Sequence, residues 1–395
     1  MRIAMIGPFG LSPNRTMSSR ALNLARALTR RGHDLALFMP PWQTPEEADR
    51  WWEEDGVTLR YTELGRQPVS TARNLLQDTA SWQPDIVHGF KPKAYSGLAM
   101  WWLWTFRRNK QHIVLDMDDW EGAGGWNELA PYTAVEKRLF AWQEQWGMGH
   151  AGAVTVASRA LESLVWSRGV DPAAVHYLPN GSGVALAGVA MPREQVEASR
   201  RQLGLNGRPA VLVYSRFFEF DTRRLVALLA GIKAAVPEVA ILFIGESLYV
   251  DDGRELHAQL AEEGLLPALV DLGWVDEADL PLLLRSADLA VYLMDDTLIN
   301  RAKCPVKLAD LAGAGIPVIG EDVGQVSTYV VNGRTGALRP SGAVEGMIAD
   351  AVALLQEPVR RHAFGQAALA HYRTNFDWDL LAGQLEAAYS SAQHG

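Results

Sequence analysis

Short, continuously apolar stretches alternate with amphipathic helical ones along this chain, and the alternation starts afresh part-way through. The first series of strand candidates is Ile3–Gly7, Leu35–Met39, Thr58–Tyr61, Ile86–Phe90, Ile113–Met117, Val154–Ala157 and Val175–Leu178. Helical stretches such as Ser18–Arg31, Pro45–Glu54 and Ala134–Gly147 lie between them. Strands without polar alternation are buried on both faces, so the pattern predicts a parallel sheet with helices on each side. A second series follows at Val211–Tyr214, Ala240–Gly245, Val270–Leu272, Leu289–Leu293 and Val318–Ile319. The break between them carries the turn formers Pro179-Asn-Gly-Ser-Gly183 and Leu205-Asn-Gly-Arg-Pro209. The prediction is an α/β protein of two doubly wound units in tandem, 1–182 and 183–375. An amphipathic helix occupies 376–395, and packing back on the first unit is one arrangement open to it. Ligands in such sheets lie at the carboxyl ends of strands, and two facing units make a cleft.

Length agrees, since 395 residues exceed one ordinary core. Hydrophobic and charged fractions of 48% and 21% are those of a globular protein. The net charge of −9 argues against general nucleic-acid binding. The single cysteine, Cys304, excludes an internal disulfide and fits a reducing compartment, so a cytoplasmic location is expected. The opening MRIAMIGPFG reads as a strand and loop rather than a signal peptide. No apolar run approaches the ~20 residues of a membrane span.

The candidate chemistry sits at strand ends. After the first strand, the loop Gly7–Ser19 offers Asn14 and Arg15 as polar contacts, but it lacks the G-x-G-x-x-G spacing. His88 ends the fourth strand, as either a core histidine or a site residue. Asp116, Asp118 and Asp119 close the fifth. Three carboxylates so close together call for solvent, a helix cap, a metal, or a cationic partner such as a developing positive carbon. Arg216 follows the first strand of the second unit, placed to clamp a diphosphate or to pair with Glu219 or Asp221. Gly245 ends the next strand and leaves room for a base or ribose. Lys303, Lys307 and Asp310 are spaced four and three apart, which predicts one shared helix face, with Pro305 early in the helix and Gly313 and Gly315 at its end. Such a helix N-terminus can hold a phosphate.

In order, these pieces resemble glycosyltransferase family 4 over essentially the whole chain. The markers are Leu22–His33, Pro84–His88, Pro179–Gly181, Leu311–Val318 and Val330–Leu338. The resemblance implies the GT-B fold of two Rossmann-like domains facing across a cleft. It also implies retaining transfer of a sugar from a nucleotide-diphosphate donor, with no further cofactor and no metal, to a glycan, lipid or small-molecule acceptor, as in polysaccharide biosynthesis. The donor is expected on the C-terminal domain, with Arg216, Gly245, Lys303, Lys307 and Asp310 binding it. Asp118, Asp119 and His88 are the expected catalytic residues. The family's paired glutamates, with seven residues between them, fall on Ala302 and Asp310, so Asp310 is expected on the ribose. Where the family often carries a histidine, this chain has Asp118, and no lysine follows Arg216 at Phe220-Asp221-Thr222.

Two other readings use the same residues: a nucleotide-sugar epimerase or hydrolase, and a non-catalytic nucleotide-sugar-binding homologue. The run Met100–Lys110 sets aromatic residues beside Arg107, Arg108 and Lys110, which predicts either a buried helix with a basic end or peripheral contact with the inner membrane face.

Overall fold

The computed structural model describes residues 1–107, 112–184, 186 and 191–394. Within the aromatic run, Arg108, Asn109 and Lys110 lie outside the described residues, as does the Arg107 side chain. The chain forms two compact units. One comprises Met1–Gly181 with Arg301–Cys304 and Trp378–Gly395; the other comprises Ser182–Asn300 and Pro305–Asp377.

The first unit is built on strands β1 (Arg2–Ile6), β2 (Asp34–Met39), β3 (Arg50–Glu54), β4 (Val57–Tyr61), β5 (Ile86–Phe90), β6 (His112–Met117), β7 (Ala153–Val156) and β8 (Val175–Tyr177). Their order is β3-β4-β2-β1-β5-β6-β7-β8, parallel except for β3. The central strands are buried on both faces, as their apolar runs require. Strand order reverses between β1 and β5, so their carboxyl ends flank the crevice where such sheets bind ligands.

Pro45–Glu54 is not the expected helix. Only a short turn, Pro45–Glu47, is helical, and Arg50–Glu54 pairs antiparallel with β4. The cause is Asp55-Gly56, whose φ angles of 52° and 77° make a two-residue hairpin turn. Aromatic contacts hold the strand in place. Trp52 meets Tyr61 at 4.8 Å between ring centroids, and the Arg60 guanidinium lies 4.9 Å over the Trp51 ring.

The helix Trp378–His394 belongs to this first unit and adds Leu381, Leu385 and Tyr389 to its core. Its polar side is tied down by Arg30–Asp379 at 2.7 Å and Arg31–Glu386 at 2.6 Å. His33 also reaches Glu386, at 2.8 Å.

The second unit carries β9 (Ala210–Tyr214), β10 (Ala240–Ile244), β11 (Leu269–Asp271), β12 (Leu289–Tyr292), β13 (Val318–Glu321) and β14 (Gly336–Arg339). They lie in the order β11-β10-β9-β12-β13-β14, all parallel, with the reversal between β9 and β12. Strand β14 escapes the pattern because Gly336-Ala-Leu-Arg339 is short and only half apolar. Its glycine is required there, because a Cβ would stand 2.0 Å from the Val318 carbonyl oxygen. Among the described residues, no helix is long and apolar enough to cross a membrane.

Glu386 ties acid stability to the last helix. The Arg31 hydrogen bond, helped by His33, outweighs the cost of partial burial and holds this carboxyl down at about 2. A carboxyl depressed on folding stabilises the fold above its unfolded value of 4.5, and that contribution fades as pH falls toward 2. Glu386→Gln should therefore destabilise by about 1 kcal/mol at pH ~6, after allowance for solvent screening. The deficit should shrink on titration toward pH ~3 in urea melts followed by circular dichroism.

Candidate functional site

In the first unit, a charged cluster occupies the carboxyl ends of β1, β5 and β6. Lys91, just past β5, has a left-handed backbone at φ 47°, and Ala94 repeats this at 51°. Such values are costly for residues with side chains and are kept where the surroundings fix them. The Lys91 ammonium lies 2.5 Å from Asp119 Oδ2 and 3.4 Å from Asp118 Oδ1. Thr16, from the loop after β1, donates its hydroxyl proton to Asp118 Oδ2 at 3.0 Å. The neighbouring pair Lys93–Glu121 closes at 2.8 Å.

The three aspartates expected to act together are divided. Asp116 points into the core and forms a two-pronged pair with Arg20, at 2.8 and 2.7 Å, with Thr155 donating to it at 2.6 Å. Asp118 and Asp119 face the cluster instead. Burial pushes the Asp118 carboxyl up, and Lys91 only partly offsets it. Burial acts on Asp119 too, but the Lys91 ammonium and its hydrogen bond, with Lys303 and the Trp126 indole, hold that carboxyl below the usual range. Among the described residues, no group of three or more histidine, cysteine, aspartate or glutamate side chains is arranged to hold a metal ion.

His88 does not reach this cluster. Its ring is fully buried, with Nδ1 3.0 Å from the Tyr389 hydroxyl and Nε2 3.4 Å from Thr155 Oγ1. Burial drives its pKa down to about 4, so it stays neutral inside the core. Its place at the strand end made it a candidate, but its side chain points inward.

Lys303 is also displaced from expectation. The helix that follows spans Val306–Ala314 with Pro305 as its N-cap, so Lys303 precedes it. Lys303 is buried in the first unit, its Nζ 5.2 Å over the Trp126 ring and acting on Asp119. Asn14 donates to Gln43 at 2.8 Å and so has a protein partner.

In the second unit, Arg216 follows β9 at the strand-order reversal. Its side chain is exposed and makes no ion pair with Glu219 or Asp221 among the described residues. Asp221 caps the helix Thr222–Ala235 instead, accepting from the Arg223 N–H at 3.0 Å. The loop under Arg216 is rigidly tied. The Phe217 N–H donates to Ser215 Oγ at 3.0 Å, and the Arg216 carbonyl accepts from Leu248 at 2.9 Å. The Glu219 carbonyl accepts from the Asp295 N–H and from Asn300 Nδ2, both at 2.9 Å. Asn300 and Phe217, at φ 53°, were not visible as site residues in the sequence. A small crevice beside this loop is lined by Val213–Ser215, Phe220 and Val291–Leu293.

Lys307 lies at the same strand end, its Nζ 5.4 Å over the Tyr214 ring. Asp310 is turned away from solvent, at 2% exposure. Its Oδ1 accepts from the Ser182 hydroxyl at 2.7 Å and from the Gly183 N–H at 2.8 Å, and Tyr214 reaches Oδ2 at 3.4 Å. Here it fastens the 182–184 segment rather than presenting an open carboxylate. Gly245 has a reason other than ligand space: at φ 105°, a Cβ would sit 2.1 Å from the Ser215 carbonyl oxygen. The glycine lets β10 end against the Arg216 loop.

The profile of the glycosyl transferase 4-like domain matches residues 15–181, and that of glycosyl transferases group 1 matches 208–357. The chain belongs to the glycosyltransferase 4 family. It is a glycosyltransferase that moves a sugar from a nucleotide-sugar donor. A phosphatidyl-myo-inositol mannosyltransferase of Mycobacterium leprae is 28% identical, over 99% of this chain and 97% of its own. A GDP-mannose-dependent alpha-mannosyltransferase of Mycobacterium tuberculosis is 24% identical, over 100% and 97%. The fold is GT-B. Sucrose-phosphate synthase from Thermosynechococcus elongatus superposes with a TM-score of 0.74 at 20% identity, covering 98% of each chain. Anabaena HepE in complex with UDP gives 0.73 at 17%, covering 99% of this chain and 100% of the other.

Beneath the Asp118 loop, Glu144 Oε1 accepts from the Glu121 N–H at 3.1 Å. Burial raises this carboxyl to about 8, from an ordinary 4.5. A raised carboxyl binds its proton more tightly in the folded state, so stability falls as pH climbs from 4.5 to 8. Glu144→Gln should remove that slope. Its stability relative to wild type should rise by about 1 kcal/mol per pH unit across this window, read from urea midpoints.

Proposed function

We propose that this glycosyltransferase works with retention, taking its sugar from a nucleoside-diphosphate donor bound by the C-terminal unit and passing it to a glycan or lipid-linked acceptor met by the N-terminal unit. The observation that carries this reading is Arg216: an exposed guanidinium on a tied loop, at the strand-order reversal where ligands bind. Its planar fork suits a diphosphate. Lys307 and the first N–H groups of the helix Val306–Ala314 add positive potential at the same end of the sheet. Cleavage at the anomeric carbon leaves negative charge on the diphosphate and partial positive charge on the sugar. Fixed cations favour the first. Asp118 and Asp119 are the groups we assign to the second and to sugar hydroxyls. No step calls for a cofactor or metal beyond the donor. The carboxylate of Asp310 serves the ribose in this scheme only by exchanging its Ser182 and Gly183 partners.

The lipid-linked acceptor is supported by a relative named as a phosphatidyl-myo-inositol mannosyltransferase. A continuous aromatic face supports it as well. Trp101, Trp104, Trp142, Trp146 and His150 join the helices Ala94–Arg107 and Ala134–His150 through ring contacts of 4.7 to 6.4 Å. Trp142, 41% exposed, lies there beside the exposed Arg138. Tryptophan-rich faces with cations at their margin favour a bilayer surface. The reading therefore includes a cytoplasmic enzyme working at the inner membrane face.

Incubating the protein with a panel of UDP-, GDP- and ADP-sugars, with and without acceptor, tests the transfer. Glycosylated acceptor with retained anomeric configuration is expected, and sugar release or epimerisation independent of acceptor would defeat the reading. Arg216→Ala should raise the donor KM by roughly 10- to 100-fold, a charge-assisted fork being worth about 1.5–3 kcal/mol. An unchanged KM would remove Arg216 from the donor site. The protein should co-sediment with anionic liposomes at low salt, and Trp142→Ala with Arg138→Glu should weaken this several-fold. Failure of the wild-type protein to sediment would end the membrane reading.

A further inference from the structure

We propose that Lys91 is a positioning residue for transfer: its ammonium locks the Asp118 and Asp119 carboxylates side by side at the carboxyl ends of β5 and β6, so that both face the transferred sugar as anions. This rests on the reading above that those aspartates serve the sugar. The geometry is specific. The backbone of Lys91 is strained at φ 47° and is fixed by its N–H donating to the Asp116 carbonyl at 3.1 Å. The carbonyl of Lys91 accepts the Ser96 hydroxyl at 2.6 Å, so the turn is held on both sides. Strain of this kind, held by surrounding bonds, marks a place where a side chain must be aimed. The target of the aim is plain: one carboxylate oxygen at 2.5 Å and another at 3.4 Å, with the ammonium only partly exposed.

Two buried carboxylates on adjacent residues cannot both ionise easily without a cation between them. The charged groups facing Asp118 are Lys91, Asp119, Asp116 and Arg20, with the Thr16 hydroxyl as hydrogen-bond donor. Arg20 is committed to Asp116. Those facing Asp119 are Lys91 and Lys303, beside Trp126. Lys91 is thus the cation common to both aspartates. Burial opposes its charge, but Asp118, Asp119 and Glu121 outweigh burial and keep it protonated well beyond neutral pH. Asp118 is the weaker acid of the pair, its carboxyl pushed up by burial despite Lys91. Removing the ammonium should push it further up and leave it neutral at the pH where transfer is measured.

The experiment is the pH profile of kcat/KM for Lys91→Gln and Lys91→Arg in the full-length enzyme, with donor binding followed separately. Lys91→Gln should lower kcat at pH ~7 by at least about ten-fold and move the acidic limb up by about one pH unit. Lys91→Arg should restore the limb, and nucleoside diphosphate binding should be unchanged in both. A Lys91→Gln limb coinciding with wild type would overturn the proposal. If Lys91→Gln does not fold, the double variant Lys91→Gln with Asp119→Asn removes both members of the close pair, which is far less costly than stranding one. Asp119→Asn alone keeps the Lys91 ammonium 3.4 Å from Asp118, so the limb of the double variant should lie above that of Asp119→Asn, and coinciding limbs would overturn the proposal. Asp118→Asn separates the two claims. Full transfer by that variant would defeat the assignment of Asp118 to the sugar. Impaired transfer with an unmoved Lys91→Gln limb would defeat only the role of Lys91.

Discussion

A guanidinium and a carboxylate without access to water hold the working end of the first unit together. Arg20 and Asp116 are 1% and 0% exposed and meet through two short hydrogen bonds. Arg20 spends its remaining donors on the Leu178 carbonyl at 3.0 Å and Asn180 Oδ1 at 2.8 Å. Asp116 takes the Thr155 hydroxyl as well. One pair thereby joins the helix after β1, the ends of β6 and β7, and the segment that leaves β8. Burial alone would make such a carboxyl neutral. Arg20 outweighs it and holds the group below the usual range. Removing one partner from such a buried pair costs about 3–5 kcal/mol, since the other charge is stranded. The carboxylate two residues on, at Asp118, inherits its position from this anchor.

The second unit solves the same problem with another buried carboxylate. Glu321, fully buried at the end of β13, accepts from the Met294 N–H at 2.7 Å, the Gly342 N–H at 2.7 Å and Arg224 at 2.9 Å. Arg224 continues to Asp295 at 2.6 Å, and the Asp295 N–H donates to the Glu219 carbonyl beneath Arg216. Each sheet therefore keeps a buried ion pair near its reversal point and a more exposed charge beyond it. The lower pair is structural because both oxygens of its buried carboxylate are bonded. The upper residues are displayed on loops whose backbones are already bonded, so little ordering cost would remain for a ligand meeting them.

Much of the fold was readable because burial on both faces writes itself into continuous apolar runs, and twelve of the fourteen strands among the described residues were anticipated, most of them from such runs. The two exceptions are edge strands of their sheets. Strand β3 holds Arg50-Trp-Trp-Glu-Glu54, whose stability comes from cross-strand rings rather than from its own apolarity. The informative signal was Asp55-Gly56, a hairpin turn directly after the stretch expected to be helical. Site residues were harder to read because a position in sequence fixes which strand end a residue occupies, not which way its side chain points. His88 and Lys91 lie three residues apart. The first points into the core and the second into the charged cluster, and only the pleat of β5 and the strained turn after it decide this. Arg216 is exposed at the end of β9 because Asp221, a partner the sequence offered it, caps the next helix instead.

The segment that looked most like one functional helix is divided by a proline. Pro305, with φ −74° and ψ 106°, caps the helix from an extended conformation, so the spacing between Lys303 and Lys307 is not helical. Lys303 goes with Asp119 and Trp126 in the first unit, while Lys307 stays over Tyr214 in the second. Cys304 remains with the first unit too, its Sγ 3.2 Å from the Asn180 nitrogen and its carbonyl accepting from Asn180 Nδ2 at 2.8 Å. Asn180 in turn accepts from Arg20. A four-residue stretch of the donor-side chain is thus bonded into the network that positions Asp118. A charge change at Lys303 consequently acts on Asp119, whereas one at Lys307, only four residues later, acts on the strand end that carries Arg216.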